Sequence, residues 1–180
     1  MTRIGPLLER NGEFARTYTP ATLGLPTSGL LVLTCLDHRV DPAIVLGLHL
    51  GETPVIRNAG GRVSQAVIDD IAYLTYLAEQ LSGDSPSRSR LEIAVIHHTQ
   101  CGTGLLIDPA FRRRAADATG LPEATLEAAA VADPRLTVKE DVERLRTAPA
   151  LAAKVTVSGH VYDITTGRVT TTVDSRTAQG

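Results

Sequence analysis

The sequence predicts an α/β fold in which a central, mainly parallel β-sheet is flanked by helices and ends in a carboxyl-terminal β-hairpin. Two observations carry this prediction. Up to about residue 100, short apolar runs alternate with helical patterns, an order typical of parallel sheets with right-handed crossovers. Near the carboxyl end, two extended runs are instead separated by a turn of only three residues, as in a hairpin.

The first predicted strand is Leu30–Cys35, a continuous apolar run of the kind that is buried on both faces of a parallel sheet. A helix is expected over residues 42–50, with Asp41 as its amino-terminal cap and Pro42 in its first position. Residues 53–57 form the second predicted strand.

The strongest helical pattern begins after Ser64, which can cap the helix, and ends before Gly83. Its apolar side chains recur at helical spacing and define a buried face: Val67, Ile71, Leu74, Ala78 and Leu81. A polar turn over residues 83–90 then leads to the third predicted strand, residues 91–97. Together these segments complete the order strand, helix, strand, helix, strand.

The second half of the chain is predicted to be helical until its last strands. Helical patterns cover residues 109–120, 121–130 and 138–153. Strands are expected over residues 154–164 and 168–173, joined through Thr165, Thr166 and Gly167. With 180 residues and no repeat, the chain is expected to form an amino-terminal arm over residues 1–29 and one α/β domain over residues 30–180.

Composition excludes several classes of function. The 18 basic and 20 acidic residues give a net charge of −2, and only 3% of residues are aromatic, so neither the charge nor the stacking side chains of a nucleic-acid binder are present. No apolar run approaches the length of a membrane span. The first residues show no signal-peptide pattern, so a cytoplasmic protein is expected.

Cysteine and histidine side chains lie at the ends of two predicted parallel strands. Cys35 ends the first strand, while His97 and His98 end the third and Cys101 follows in the next turn. Carboxyl ends of parallel strands share one edge of the sheet, where ligands bind. Two thiolates and one imidazole would fill three positions of a tetrahedral Zn²⁺ site. The alternative is that the cysteines are inert, buried side chains.

Three motifs, CLDHR, VIRNAGG and HHTQCG, occur between residues 35 and 102 in an order that resembles the β-class carbonic anhydrases. The resemblance implies Zn²⁺ bound by Cys35, His98 and Cys101, and reversible hydration of CO₂ to bicarbonate by zinc-bound hydroxide. It also implies a catalytic dyad of Asp37 and Arg39. In some members of the family this aspartate moves onto the metal, so Asp37 is also a candidate metal ligand.

The two adjacent histidines are expected to have different roles. Neighbouring strand residues point to opposite faces of a sheet, so only one can reach the metal. The spacing of the family motif selects His98, which leaves His97 packed nearby. The glycine-rich turn at residues 57–61 is expected to pack closely against the metal loop, although such turns can also bind anions. Asp37 and Arg39 could alternatively form a purely structural pair.

The resemblance leaves two other functions open. Hydrolases of carbonyl sulfide and carbon disulfide share this fold, and their linear substrates resemble CO₂. A zinc-stabilised scaffold without turnover is the other alternative. The family also implies a homodimer or a higher oligomer, and the arm is a candidate clasp because it carries Leu7, Leu8, Phe14 and Tyr18.

Overall fold

A computed structural model of the chain describes residues 2–20, 23–82 and 90–179. Its centre is a five-stranded sheet with strand order β2-β1-β3-β4-β5. Pairs β1–β2, β1–β3 and β3–β4 are parallel, whereas β4–β5 is antiparallel. The strands are β1 (Leu30–Cys35), β2 (Val55–Asn58), β3 (Leu91–His98), β4 (Val155–Asp163) and β5 (Arg168–Thr177).

Helices connect the strands and follow them. Short 3₁₀ turns cover Ala59–Gly61, Gly102–Ile107 and Pro149–Leu151. The α-helices are α1 (Gly5–Thr17), α2 (Pro42–Val45), α3 (Gln65–Leu81), α4 (Pro109–Thr119), α5 (Glu123–Ala128) and α6 (Pro134–Arg146). Within the described residues, no helix is both long and apolar enough to cross a membrane.

The predicted fold class is confirmed, including the hairpin, in which Asp163 pairs with Arg168 across a turn that contains Gly167 at φ +71°. Strand β5 runs four residues beyond its predicted end at residue 173. The Ser64 cap also forms, because its side chain accepts a hydrogen bond from the amide of Val67. The predicted helix end at Gly83 and the turn at residues 83–89 lie outside the described residues.

The helix predicted over residues 42–50 was wrong in length. Asp41 does cap it, since its carboxylate accepts a hydrogen bond from the Ala43 amide at 2.9 Å. The helix nevertheless ends at Val45, and Gly47 follows in the left-handed region at φ +69°. A glycine in this conformation turns the chain out of a helix, and four residues give too few internal hydrogen bonds to resist it.

The main core lies between one face of the sheet and helices α3 and α6. Because Gly159 in β4 has no side chain, α6 approaches the sheet closely; a Cβ at this position would lie 2.9 Å from a methyl carbon of Val142. The opposite face carries a smaller cluster of Val32, Ala94 and Ile96. The main cluster includes odd-numbered apolar residues of strands β1 and β3: Leu31, Leu33, Ile93 and Val95.

Candidate metal centre

The parallel pairing of β1 with β3 brings the carboxyl ends of these two strands together at one edge of the sheet. Cys35 is the last residue of β1, and His98 is the last residue of β3. Cys101 lies three residues later, immediately before the 3₁₀ turn Gly102–Ile107. One donor atom from each of these three side chains lies within 4.8 Å of the other two, and the two sulfur atoms are 3.8 Å apart. The structure therefore brings together the three side chains that the motifs single out.

The imidazole of His98 is oriented for a metal ion. Its Nδ1 lies 3.0 Å from the carbonyl oxygen of Thr99, so Nδ1 carries the proton and donates it. The other nitrogen, Nε2, is then left with a lone pair, and it is buried without a hydrogen-bond partner in the described structure. A buried nitrogen of this kind is costly unless something binds it. A cation between Nε2 and the two sulfurs would satisfy it.

The sulfur atoms of Cys35 and Cys101 are close enough for one proton to be shared between them. The hydrogen bond with Cys35 lowers the pKa of Cys101 to about 3, and the same bond together with burial raises the pKa of Cys35. Burial lowers the pKa of His98, but the proximity of Cys101, the hydrogen bond to the Thr99 carbonyl and the charge of Asp37 outweigh burial and leave that pKa raised. A cation in place of the shared proton would make both cysteines thiolates, which is the form that binds metals. The donor set therefore fits a metal ion.

Asp37 and Arg39 form a bidentate ion pair beside these donors. The guanidinium donates from Nε to Oδ1 at 2.9 Å and from Nη2 to Oδ2 at 2.6 Å. These hydrogen bonds hold the pKa of Asp37 well below its usual range. Oδ2 also lies 4.0 Å from Nε2 of His98, so an ionised carboxylate faces the centre. In this arrangement Asp37 is held by Arg39 and does not belong to the three-residue donor group.

Arg57 is a member of this site for which the motifs predicted no role beyond its place at the start of the glycine-rich turn. Its Nε donates to the carbonyl oxygen of Cys35 at 3.1 Å, and its Nη2 donates to that of Asp37 at 2.7 Å. The side chain thus fixes the backbone on both sides of residue 36. A signal was available, because Arg57 lies near the carboxyl end of a strand that neighbours β1.

The glycine-rich turn packs against the metal loop, as expected from the sequence. Gly61 has φ +68°, and a Cβ there would lie 2.9 Å from the backbone nitrogen of Cys35. Gly60 has φ +80°, and its Cβ would lie 2.7 Å from the carbonyl oxygen of Ala129. Only glycine combines this conformation with so close a backbone approach.

His97 lies on the opposite side of β3 from His98 and is fully buried. Its Nε2 lies 3.1 Å from a carboxylate oxygen of Asp141 and 3.3 Å from the carbonyl oxygen of Gly61. Nδ1 is 2.8 Å from the hydroxyl of Thr137. Arg62 donates to the same oxygen of Asp141 at 2.7 Å. This buried network connects the glycine-rich turn to helix α6, and no pattern in the sequence predicts its two charged members, Arg62 and Asp141.

Known proteins resemble this chain in sequence. The family model described as "Carbonic anhydrase" matches residues 30–107, which include all three donor residues. "Beta-carbonic anhydrase 1" of Mycobacterium tuberculosis is 29% identical over 169 residues, covering 94% of this chain and 97% of the relative. A "Carbon disulfide hydrolase" of Acidithiobacillus thiooxidans is 29% identical over 168 residues, covering 82% of this chain and 79% of the relative.

A solved structure agrees with these matches. The carbonic anhydrase of Streptococcus mutans superposes with a TM-score of 0.77 at 28% identity, over 96% of this chain and 98% of that chain. Fold and site thus define a class of α/β proteins that could hold a metal ion on two cysteines and a histidine. The chain is similar to β-class carbonic anhydrases in sequence and in fold, and the carbonic anhydrase match covers the part that holds the three donor residues.

Proposed function

We propose that this protein is a zinc-dependent lyase that reversibly hydrates CO₂ to bicarbonate. One observation carries the proposal. In a chain similar to β-class carbonic anhydrases, the donor atoms of Cys35, His98 and Cys101 converge beside a carboxylate that an arginine holds ionised. Such a centre combines a place for a Lewis-acidic ion with a nearby proton acceptor.

Zn²⁺ is the ion that best suits these donors. Thiolate sulfur and imidazole nitrogen favour zinc over magnesium or calcium, which prefer oxygen. Three protein ligands also leave one tetrahedral position open, as in catalytic zinc sites. When bound there, zinc would lower the pKa of a coordinated water towards 7 and so supply a nucleophile near neutral pH.

Asp37 has the proton-accepting role in this proposal. Its carboxylate is ionised at neutral pH because Arg39 stabilises the charged form, and its Oδ2 faces His98 Nε2 at 4.0 Å. From there it can accept a hydrogen bond from the nucleophile and orient a lone pair towards the substrate carbon. A closed form, in which Asp37 itself becomes the fourth zinc ligand, requires Arg39 to release it.

Hydrolysis of carbonyl sulfide or carbon disulfide is the second candidate. It is supported by the carbon disulfide hydrolases among the relatives, one of which is 29% identical. Hydration of CO₂ is favoured because the match to the mycobacterial carbonic anhydrase extends over 97% of that relative, against 79% of the hydrolase. A zinc-stabilised scaffold without turnover is the remaining alternative.

Two assays on the same zinc-loaded protein distinguish these functions. Stopped-flow measurement of CO₂ hydration is expected to show turnover well above the uncatalysed rate, with His98→Ala as the background control. A sulfide-release assay with carbonyl sulfide and carbon disulfide runs in parallel. Background hydration with rapid sulfide release would replace the proposal with the second candidate. Inactivity in both assays would favour the zinc-stabilised scaffold without turnover.

We further propose a homodimer or higher homo-oligomer that uses residues 1–29 as its clasp. Helix α1 buries none of its own residues. Five apolar side chains in α1 or next to its ends are between 44% and 61% exposed: Ile4, Leu7, Leu8, Phe14 and Tyr18. Burial of such a stripe against a second copy would be favourable. A monomer by light scattering at micromolar concentration would contradict this assembly.

A cytoplasmic location completes the proposal. Both cysteines are free thiols, and their sulfur atoms lie only 3.8 Å apart. Metal-binding thiols so close together persist most readily in a reducing compartment. Cell fractionation would test this, and recovery of the protein from an oxidising compartment would contradict it.

A further inference from the structure

Thr103 touches one of the candidate metal ligands. It lies two residues after Cys101, in the first turn of the 3₁₀ segment Gly102–Ile107, and is half-buried. Its hydroxyl oxygen is 3.1 Å from the sulfur of Cys101. On the other side it borders Gly60, where a Cβ would lie 3.1 Å from the same oxygen. The hydroxyl therefore sits between the glycine-rich turn and the sulfur.

The chemistry of a bound thiolate fixes the direction of this hydrogen bond. A cysteine that binds a metal ion has lost its proton, so the sulfur of Cys101 can only accept. The single hydroxyl proton of Thr103 must then point at the sulfur. A hydrogen bond to an ionised acceptor is stronger than one between neutral groups.

The two sulfurs of the site accept hydrogen bonds from different kinds of donor. Cys35 accepts a backbone hydrogen bond from the amide of Asp37 at 3.4 Å, whereas Cys101 accepts from a side-chain hydroxyl at 3.1 Å. A hydroxyl donor withdraws electron density from the sulfur lone pairs and so reduces what the sulfur gives to the metal. More positive charge is thereby left on the ion.

We propose that Thr103 is a positioning residue whose hydroxyl weakens the electron donation of Cys101 to the metal and fixes the direction of its sulfur. This inference rests on the proposed zinc site. It assigns a role to a residue outside the ligand and dyad motifs. Partners of this kind around a metal site commonly change affinity by about 10- to 100-fold when they are removed.

Thr103→Val is the matched test, because valine has nearly the shape of threonine but no hydroxyl. The protein is loaded with Co²⁺, and its sulfur-to-cobalt charge-transfer absorption is recorded. In the valine variant the band should move to longer wavelength, because the sulfur electrons are no longer stabilised. Chelator competition should show Co²⁺ binding weakened by about tenfold, because the sulfur is no longer held in its direction and this loss outweighs the stronger donation. Thr103→Ser keeps the hydroxyl, so its charge-transfer band and its Co²⁺ affinity should match those of the parent protein.

The outcomes separate this inference from the proposed function. Identical spectra for the parent protein and Thr103→Val would overturn the role of Thr103. A parent protein without any sulfur-to-cobalt band would overturn it together with the ligand assignment. A shifted band that serine reverses supports the role, even if CO₂ hydration is absent and the proposed substrate is wrong. Thr103→Ala provides the same comparison if the valine variant does not fold.

Discussion

Arg39 holds Asp37 by a bidentate hydrogen-bonded ion pair, with its Nε at 2.9 Å from one carboxylate oxygen and its Nη2 at 2.6 Å from the other. The same Nη2 donates to the carbonyl oxygen of Gln100 at 3.0 Å. Arg39 therefore links the loop after β1 to the loop after β3. It also keeps the carboxylate beside the donor group of Cys35, His98 and Cys101, rather than among its members.

Removal of this guanidinium should abolish most turnover. In Arg39→Ala, Asp37 loses both side-chain hydrogen bonds and is free to move towards the metal. We expect kcat/KM for CO₂ to fall roughly a hundredfold or more, within the range of a lost general acid–base group. Zinc content by metal analysis should stay at one per chain. Arg113→Ala is the control, since its side chain is 72% exposed and its ion-pair partner, Glu123, lies outside the site. Normal turnover in Arg39→Ala would contradict this role.

Activity should rise through mildly alkaline pH. Two thiolates and a neutral imidazole cancel the charge of Zn²⁺, whereas three imidazoles would leave +2. A less positive centre pulls less strongly on a water proton, so the active form should appear above the roughly pH 7 of a three-histidine site. Asp37 does not cause this rise, because its lowered pKa keeps it ionised throughout the range. A kcat/KM profile that is already flat from pH 6 upward would contradict the assignment.

Substitution of a proposed zinc ligand should remove the metal, whereas substitution of His97 should not. Cys35→Ser and His98→Ala should lose most of the bound zinc in metal analysis. His97→Ala should keep it but lower the free energy of unfolding by about 2 kcal/mol, because Asp141 and Thr137 lose a buried hydrogen-bond partner. Full zinc occupancy in either ligand variant, or loss of zinc in His97→Ala alone, would reverse the assignment.

Gly61 and Gly167 make a matched pair for testing the turn that supports Cys35. Both lie near φ +70°, where alanine costs about 1–2 kcal/mol. Only at Gly61 would the new methyl group meet backbone, at 2.9 Å from the nitrogen of Cys35; the space around Gly167 is open. Gly61→Ala should therefore unfold at clearly lower denaturant concentration than Gly167→Ala and bind zinc more weakly. Equal effects would show that the turn does not position Cys35.

His160 should make the fold sensitive to mild acid. Burial lowers its pKa, and the charge of Glu92 only partly opposes this effect. The unfolded chain therefore binds the proton more readily than the folded protein. The contribution of His160 to stability is present above its unfolded pKa of about 6.5 and is lost as the pH falls through the folded value. Between pH 7.5 and 5, Tm should fall more in the parent protein than in His160→Gln; parallel curves would rule out this contribution.

The sequence alone was enough for the sheet and for the cluster of donors. The strand Leu30–Cys35 is an unbroken apolar run, and its bounds in the structure are the predicted ones. Parallel pairing then requires the ends of β1 and β3 to share one edge, so Cys35, Cys101 and one of the two adjacent histidines could be placed together before any distance was known; the resemblance to the carbonic anhydrase motif selected His98. These features depend on local pattern and simple topology, which the order of residues records directly.

Tertiary structure alone decided how the site is held. Arg62 and Asp141 are 79 positions apart, and they meet at His97 only because α6 packs on the sheet face behind the turn at Gly61. Arg57 likewise finds its carbonyl partners only once β2 lies beside β1. In a sequence, a charged residue that will be buried and paired cannot be distinguished from one that stays in water. Its partner is chosen by burial, since a charge removed from water must be paired wherever the packing has brought it.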